Sequence, residues 1–280
     1  MTKTIFDNIN PDVLERIKAM RLFDDELMTA VFSGDIKATQ LLIRVLLNKN
    51  DLTVTHSMSQ VQKTNLFGKS VKLDIVAEDI FKTEYNIEIQ RADSGAIPKR
   101  IRYHQAMLDS HTLQKSDSYK SLANLYIIFI LENDIFGKGQ PIYRVKKILD
   151  IKDEEGNYLP FDDDCNIMYV NGKYAGDDPL GRLMHDFATP NADEMYYEEL
   201  AERMRFCKQD ERGVKMVSKI VEEYGDERAA EALKQGIQQK AIEAAKNFLA
   251  EGDSPEKVAR CIGLPLEKVL ELKKSIPVNA

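Results

Sequence analysis

Residues 71–90, VKLDIVAEDIFKTEYNIEIQ, constrain the fold more than any other stretch of the chain. Two runs rich in β-branched and apolar residues, VKLDIVAED and TEYNIEIQR, flank a short polar connection, so they predict two strands paired antiparallel. Side chains alternate along a strand. Asp74 therefore shares a face with Lys72 and Val76, and Glu88 shares one with Asn86 and Gln90. Leu73, Ile75, Ile87 and Ile89 point the other way. Paired in register, the hairpin has one apolar face and one that gathers Lys72, Asp74, Glu88 and Gln90.

Two carboxylates brought together repel, and burial adds to the cost. A divalent cation removes that conflict. Oxygen donors suit Mg²⁺ or Mn²⁺, and Mg²⁺ commonly takes one or two carboxylates plus a substrate phosphate. The pattern therefore suits phosphodiester hydrolysis. On spacing alone it fits equally well a sheet with one solvated face, on which Asp74 and Glu88 are surface residues.

The surrounding chain predicts a mixed sheet covered by helices. Residues 11–49 read as two or three helices, with Pro11 at a helix start and Asp24 or Asp25 as a cap. Residues 51–60 read as a strand. Residues 97–114 form an amphipathic helix with Pro98 in its first turn and Ile101, Met107 and Leu108 turned inward. NLYIIFIL at 124–131 reads as a central buried strand and PIYRVKKILDI at 141–151 as another. NIMYVNGKY at 166–174 contains Asn171-Gly172, a tight-turn signal. From about Asp193 the chain is helical. At its end Ser254 caps a short helix that Gly263 stops, and Pro265 opens another, which is the outline of a helix-turn-helix. A helical hairpin packed on a neighbour fits that outline as well.

Composition narrows the class. Net charge is −7 over 280 residues, so nucleic-acid binding must rest on local charge. Residues 91–150 carry ten Lys or Arg against six Asp or Glu. Cys165, Cys207 and Cys261 lie far apart, without metal-ligand spacing, and their odd number argues against a disulfide framework; they read as reduced. MTKTIFDNINPDVLERIK lacks the apolar core of a signal peptide, and LANLYIIFIL is too short to span a bilayer. The expected location is the cytoplasm, with no membrane association.

The stretch KLDIVAEDIFKTEYNIEIQ resembles the core of the PD-(D/E)XK nuclease superfamily, and more narrowly the PD-(D/E)XK family transposase, or recombination-promoting nuclease, group. In that group an Asp on one strand is followed by Glu-x-Gln on the next; here these are Asp74 and Glu88-Ile89-Gln90, with thirteen residues between the acids. RIRYHQAMLDSHTLQKSDSYKSLANLYIIFIL, NIMYVNGKY and LGRLMHDF resemble later parts of the group, so the likeness spans roughly residues 20–210. It implies a restriction-endonuclease-like α/β fold over residues 1–212, followed by an all-helical extension over 213–280. It also implies metal-dependent DNA cleavage with Mg²⁺ or Mn²⁺ held by Asp74, Glu88 and the backbone carbonyl of Ile89. Gln90 takes the slot usually held by Lys; it can hydrogen-bond but carries no charge. Lys72, on the same face as Asp74, would restore that charge. Glu26 or Asp25 would add a contact from the first helices.

Arg100 and Arg102 lie on the helix after the Glu88 strand and are the candidate phosphate contacts, which would be independent of base sequence. Tyr103 reads as packing. His104 and His111 share a helix face but have no matching acid in sequence, so they predict no metal site. Gly137-Lys138-Gly139 lacks Walker A spacing and reads as a loop. Three readings follow. The first is a DNA endonuclease linked to recombination or a mobile element. The second is a catalytically weak or inactive binding module that keeps the nuclease fold and recognises DNA or a partner protein without cutting. The third adds homodimerisation through the helical C-terminal part.

Overall fold

The computed structural model describes residues 9–91 and 96–275. The reading of the N-terminal segment as free of a signal peptide rests partly on residues 1–8, outside the described residues. The helices are α1 Pro11–Ala19, α2 Asp25–Phe32, α3 Ile36–Leu47, α4 Pro98–Thr112, α5 Pro179–Ala188, α6 Glu198–Gln209, α7 Glu211–Ala250, α8 Pro255–Ile262 and α9 Leu266–Ser275. The strands are β1 Val54–Lys63, β2 Val71–Asp79, β3 Glu84–Gln90, β4 Leu125–Leu131, β5 Ile142–Arg144, β6 Ile148–Lys152, β7 Tyr158–Pro160 and β8 Cys165–Asn171. Two compact units result, Met1–Val221 and Glu222–Ala280.

In the first unit six strands form a mixed sheet in the order β1-β2-β3-β4-β8-β5. β1, β2 and β3 are antiparallel neighbours. β4 runs parallel to β3, and β8 parallel to β4. The parallel step needs a crossover, and α4 supplies it. One face carries Ile75, Ile87, Ile89, Ile128, Ile130 and Val170 into a core shared with α1–α3, α5, α6 and the first turns of α7. The other carries Leu73, Ile127, Phe129 and Leu131 against Ile101, Met107 and Leu108 of α4. Burying one such side chain contributes about 1.5–3 kcal/mol, so this second layer holds α4 firmly over β3 and β4.

Residues 141–151 do not form one strand. β5 pairs with β8 for three residues, and β6 leaves to pair with β7 as a separate hairpin. Every residue of β6 is exposed, so no apolar face ties it to the main sheet. The cap of α2 is Asp24, not Asp25. Its carboxylate accepts from the Arg21 N–H at 2.7 Å and pairs with Arg91 at 2.6 Å. Glu132 binds both Arg21 at 2.8 Å and Arg91 at 3.1 Å. This ring of charges ties the start of α2 to the carboxyl ends of β3 and β4.

In the second unit the end of α7 packs with α8 and α9 through Ala245, Leu249, Val258, Val269 and Leu272. The Ser254 hydroxyl accepts from the Lys257 N–H at 3.3 Å. Gly263, at φ 76°, ends α8 in the left-handed region that glycine adopts cheaply. Among the described residues no helix is long and apolar enough to cross a membrane.

Candidate active site

Asp74 sits where the regular ladder of β2 breaks. On one side the pairs Ser59↔Ile75 and Val61↔Leu73 flank Gln60, whose φ is 54°. On the other, pairing with β3 runs from Glu78↔Glu84 to Ile75↔Ile87 and stops. Continuing that register sets Asp74 opposite Glu88. There the Asp74 carboxylate replaces a backbone acceptor and takes the Ile89 N–H at 2.9 Å. Leu73 packs in one core and Ile75 in the other, although residues two apart share a face in a regular strand. β2 therefore turns over at Asp74.

Glu88 is completely buried, on the α4 side of the sheet beside Phe129 of β4. Arg100 Nη2 donates to its Oε2 at 3.0 Å, and Arg100 Nη1 donates to Gln90 Oε1 at 3.3 Å. His104, one helical turn beyond Arg100, is also buried, with Nδ1 3.5 Å from Glu88 Oε1. Arg100 and His104 both lie near the Phe129 ring. Glu88 Oε1, His104 Nδ1 and both side-chain polar atoms of Asn86 are buried without a hydrogen-bond partner. Buried polar atoms are nearly always paired, so this cluster of orphans marks a place built for something besides the chain itself.

Electrostatics point the same way. Burial first, then the charge of Glu88, push the Asp74 carboxyl up from 3.8 to about 8; Asp25 adds to the push, while the Ile89 N–H and Arg100 oppose it. Asp25 stands in the first turn of α2, beside the Asp24 that the Arg21–Arg91–Glu132 ring holds, close enough for its charge to act on Asp74. Glu26, also in the first turn of α2 and buried, pairs with Arg16 at 2.6 Å.

Beside the acids opens a cleft of about 590 Å³ lined by Lys69, Lys72, Lys99, Arg100, Tyr103 and His104 among others. Lys72 is exposed along it. Arg102 is exposed on α4 and does not line it. The cleft is basic on a chain whose net charge is −7.

The structure brings Asp74, Glu88, Ile89, Gln90 and Arg100, all named from the sequence, into one neighbourhood, with Lys72 at the cleft wall; Arg102, named from the sequence as a phosphate contact, does not line the cleft. The sequence reading missed His104 and Asn86. The spacing of Arg100 and His104, four apart on the helix that follows the Glu88 strand, was the available signal for the first. The alternation Asn86, Glu88, Gln90 was the signal for the second.

The chain matches the PD-(D/E)XK nuclease family transposase over residues 30–173. It belongs to that family. The matched span runs from α2 through β8 and contains both acids and α4, and the mixed six-stranded sheet with flanking helices is the restriction-endonuclease-like fold that the family implies. The protein is therefore a nuclease-fold member of a transposase family. No curated protein and no solved structure matches the chain significantly.

The residues fit a divalent cation. Glu88 keeps one buried carboxylate oxygen unpaired. Burial and the charge of Glu88 push the Asp74 carboxyl up, a repulsion that a cation would relieve. In a strand the N–H and C=O of one residue leave toward the same neighbour, so the Ile89 carbonyl faces the same edge as Asp74. An all-oxygen set of this kind suits Mg²⁺ or Mn²⁺. Among the described residues no three His, Cys, Asp or Glu side chains converge as a complete cage.

Proposed function

We propose that this protein is a divalent-metal-dependent DNA endonuclease of the cytoplasm, acting in recombination or in the movement of a mobile element. The observation that carries the reading is the unpaired, fully buried oxygen of Glu88 close to Asp74, behind Arg100 and His104, which line a basic cleft. Asp74, Glu88 and the Ile89 carbonyl would hold Mg²⁺ or Mn²⁺. Such an ion, when bound, supplies Lewis acidity toward a phosphate and acidifies water.

The other residues have separable tasks. Arg100 fixes the Glu88 carboxylate and donates to Gln90 Oε1, which leaves the Gln90 amide nitrogen to donate to a water or phosphate oxygen. Lys72 brings to the cleft the positive charge that Gln90 lacks. Arg102 lies outside the cleft, where it would contact flanking phosphates without regard to base sequence. Cutting both strands calls for two sites, and self-association through the helical C-terminal part would supply them; the exposed Leu233 and Ile237, four residues apart on α7, support that arrangement.

The direct test is cleavage of plasmid DNA with Mg²⁺ or Mn²⁺, with Asp74→Ala as control. Cleavage abolished in the control supports the enzyme; equal residual cleavage in both contradicts it. A second reading, a DNA-binding module that does not cut, is favoured by one observation: Arg100 already supplies Glu88 with a counter-charge. Tight binding without cleavage by the wild-type chain would select it.

A further inference from the structure

The β1–β2 connection, TNLFGKS at residues 64–70, carries Leu66 86% exposed and Phe67 100% exposed. Single exposed apolar residues are ordinary. Here two adjacent ones stand on a turn that is braced. The Asn65 N–H donates to Ser70 Oγ at 3.1 Å, and Asn65 Oδ1 accepts the Phe67 N–H at 3.0 Å. The Asn65 amide donates to the Tyr103 hydroxyl at 3.1 Å, which donates in turn to the Lys69 carbonyl. The His111 imidazole bonds the Thr64 carbonyl at 3.1 Å. At Gly68 a Cβ would fall 3.0 Å from Asn65 Nδ2, so the bare backbone lets the brace close. The turn is thus pinned to α4, and its two largest apolar side chains are held out in water.

The charge around the turn is one-sided. Between Gln62 and Lys72 there are three lysines and no acid. Two of them, Lys69 and Lys72, line the basic cleft that also holds Arg100. An apolar tip on a cationic base, continuous with that cleft, matches a polyanion whose interior is apolar and stackable. Duplex DNA has that composition. Proteins insert Phe or Leu between base steps to unstack and kink a duplex, and aromatic rings stack on unpaired bases of any sequence.

We propose that Phe67, supported by Leu66, is a wedge that enters a base step of DNA lying in the basic cleft. The assignment rests on the nuclease reading above. Asp74 lies seven positions beyond Phe67. Extended chain covers at most about 25 Å over that length, or about seven base-pair steps, so the opened step lies within that distance of the phosphate facing Asp74. The preferred substrate is then a duplex already weakened at one step, by a mismatch or a bulge.

The test uses the full-length chain, Phe67→Ala and Phe67→Trp, with Ca²⁺ in place of Mg²⁺. The probe is a duplex carrying 2-aminopurine at several positions, whose fluorescence rises when its base unstacks. The wild type and Phe67→Trp should raise the fluorescence severalfold, and Phe67→Ala should bind with no rise. Affinity, read by anisotropy, should fall by roughly 5- to 100-fold in Phe67→Ala, the loss expected for one stacked base. A mismatch should tighten binding by the wild type and leave Phe67→Ala unchanged. DNA binding by the wild type with unchanged fluorescence, or an identical response from Phe67→Ala, overturns the wedge and leaves the nuclease reading standing. Failure of every form to bind DNA overturns both. Binding to anionic vesicles, or dimerisation, that Phe67→Ala alone loses would reassign the turn to a lipid surface or a second copy, and would also overturn the wedge.

Discussion

Asp74 and Asp79 lie five residues apart on the same strand, and their surroundings differ in kind. Asp79 is buried, and its carboxylate is saturated: Oδ1 accepts the Phe81 N–H at 2.8 Å and the Thr83 N–H at 2.9 Å, and Oδ2 accepts the Tyr85 hydroxyl at 2.8 Å. Asp186 repeats the pattern in the helical layer, accepting the Tyr196 and Tyr197 N–H groups at 2.8 and 2.9 Å. These acids close a turn and a loop. Asp74 instead accepts the Ile89 N–H, sits where the pairing breaks on both sides, and faces Glu88, which has an oxygen left unpaired. A buried carboxylate whose bonds are complete is architecture. One whose bonds are incomplete, next to another acid, is where the proposed ion would bind.

The largest effect that separates the two kinds is on activity. Asp74→Ala or Glu88→Ala should lower plasmid cleavage by roughly 10²–10³-fold or more, the order lost with one essential electrostatic group. Asp79→Ala should leave cleavage per folded molecule within a few-fold of wild type. Cleavage equally sensitive at Asp79 would break the contrast.

On stability the order reverses. Asp79→Ala strands two backbone N–H groups and a tyrosine hydroxyl, and should cost about 2–4 kcal/mol, lowering Tm by roughly 5–12 °C. Asp74→Asn removes a repelled, buried acid and should leave the metal-free Tm equal or higher. Differential scanning calorimetry of the two variants checks the pair together.

Arg100→Met sharpens what Glu88 needs. Arg100 is partly exposed, so losing it should cost about 2 kcal/mol rather than the larger penalty of a fully buried pair. Added Mg²⁺ should then raise Tm more in Arg100→Met than in wild type, since the cation meets an uncompensated carboxylate. An equal rise in both would mean that Arg100 and the ion do not serve the same acid.

The smallest effect is a pH slope. The Asp74 carboxyl titrates near 8 in the folded, metal-free chain, against about 3.9 in an unfolded one. Between roughly pH 4 and 8 the folded chain binds a proton that the unfolded chain has released, so stability falls as pH rises through that window. Tm measured with chelator present should show the decline, and Asp74→Asn should flatten it.

Much of this was legible in the residues. The period-two pattern of 71–90 gave the strand pair, and the amphipathic pattern of 97–114 gave α4, but alternation put Leu73 and Ile75 on one face, whereas β2 turns over at Asp74 and sends them into different cores. What alternation cannot express is where a chain leaves a sheet. PIYRVKKILDI alternates throughout, yet only Ile142–Arg144 finds a partner in β8, and Ile148–Lys152 turns away into a hairpin. Nor does spacing reveal partners made by a crossover. His104 had no acid within reach along the sequence; Glu88 comes beneath it because α4 folds back across β3 and β4. Arg100 read as a free cation for DNA for the same reason, and the structure spends it first on Glu88 and Gln90. Asp24 and Asp25 were equivalent as caps until the Arg21–Glu132–Arg91 ring chose between them.

The central claim is that Asp74 and Glu88 share one divalent ion. Anomalous diffraction from crystals soaked in Mn²⁺ tests it most directly. A peak about 2.0–2.2 Å from an oxygen of each acid, absent in Asp74→Ala, is the predicted result. Saturating Mn²⁺ that binds elsewhere, with Arg100 still the sole cation on Glu88, would contradict it.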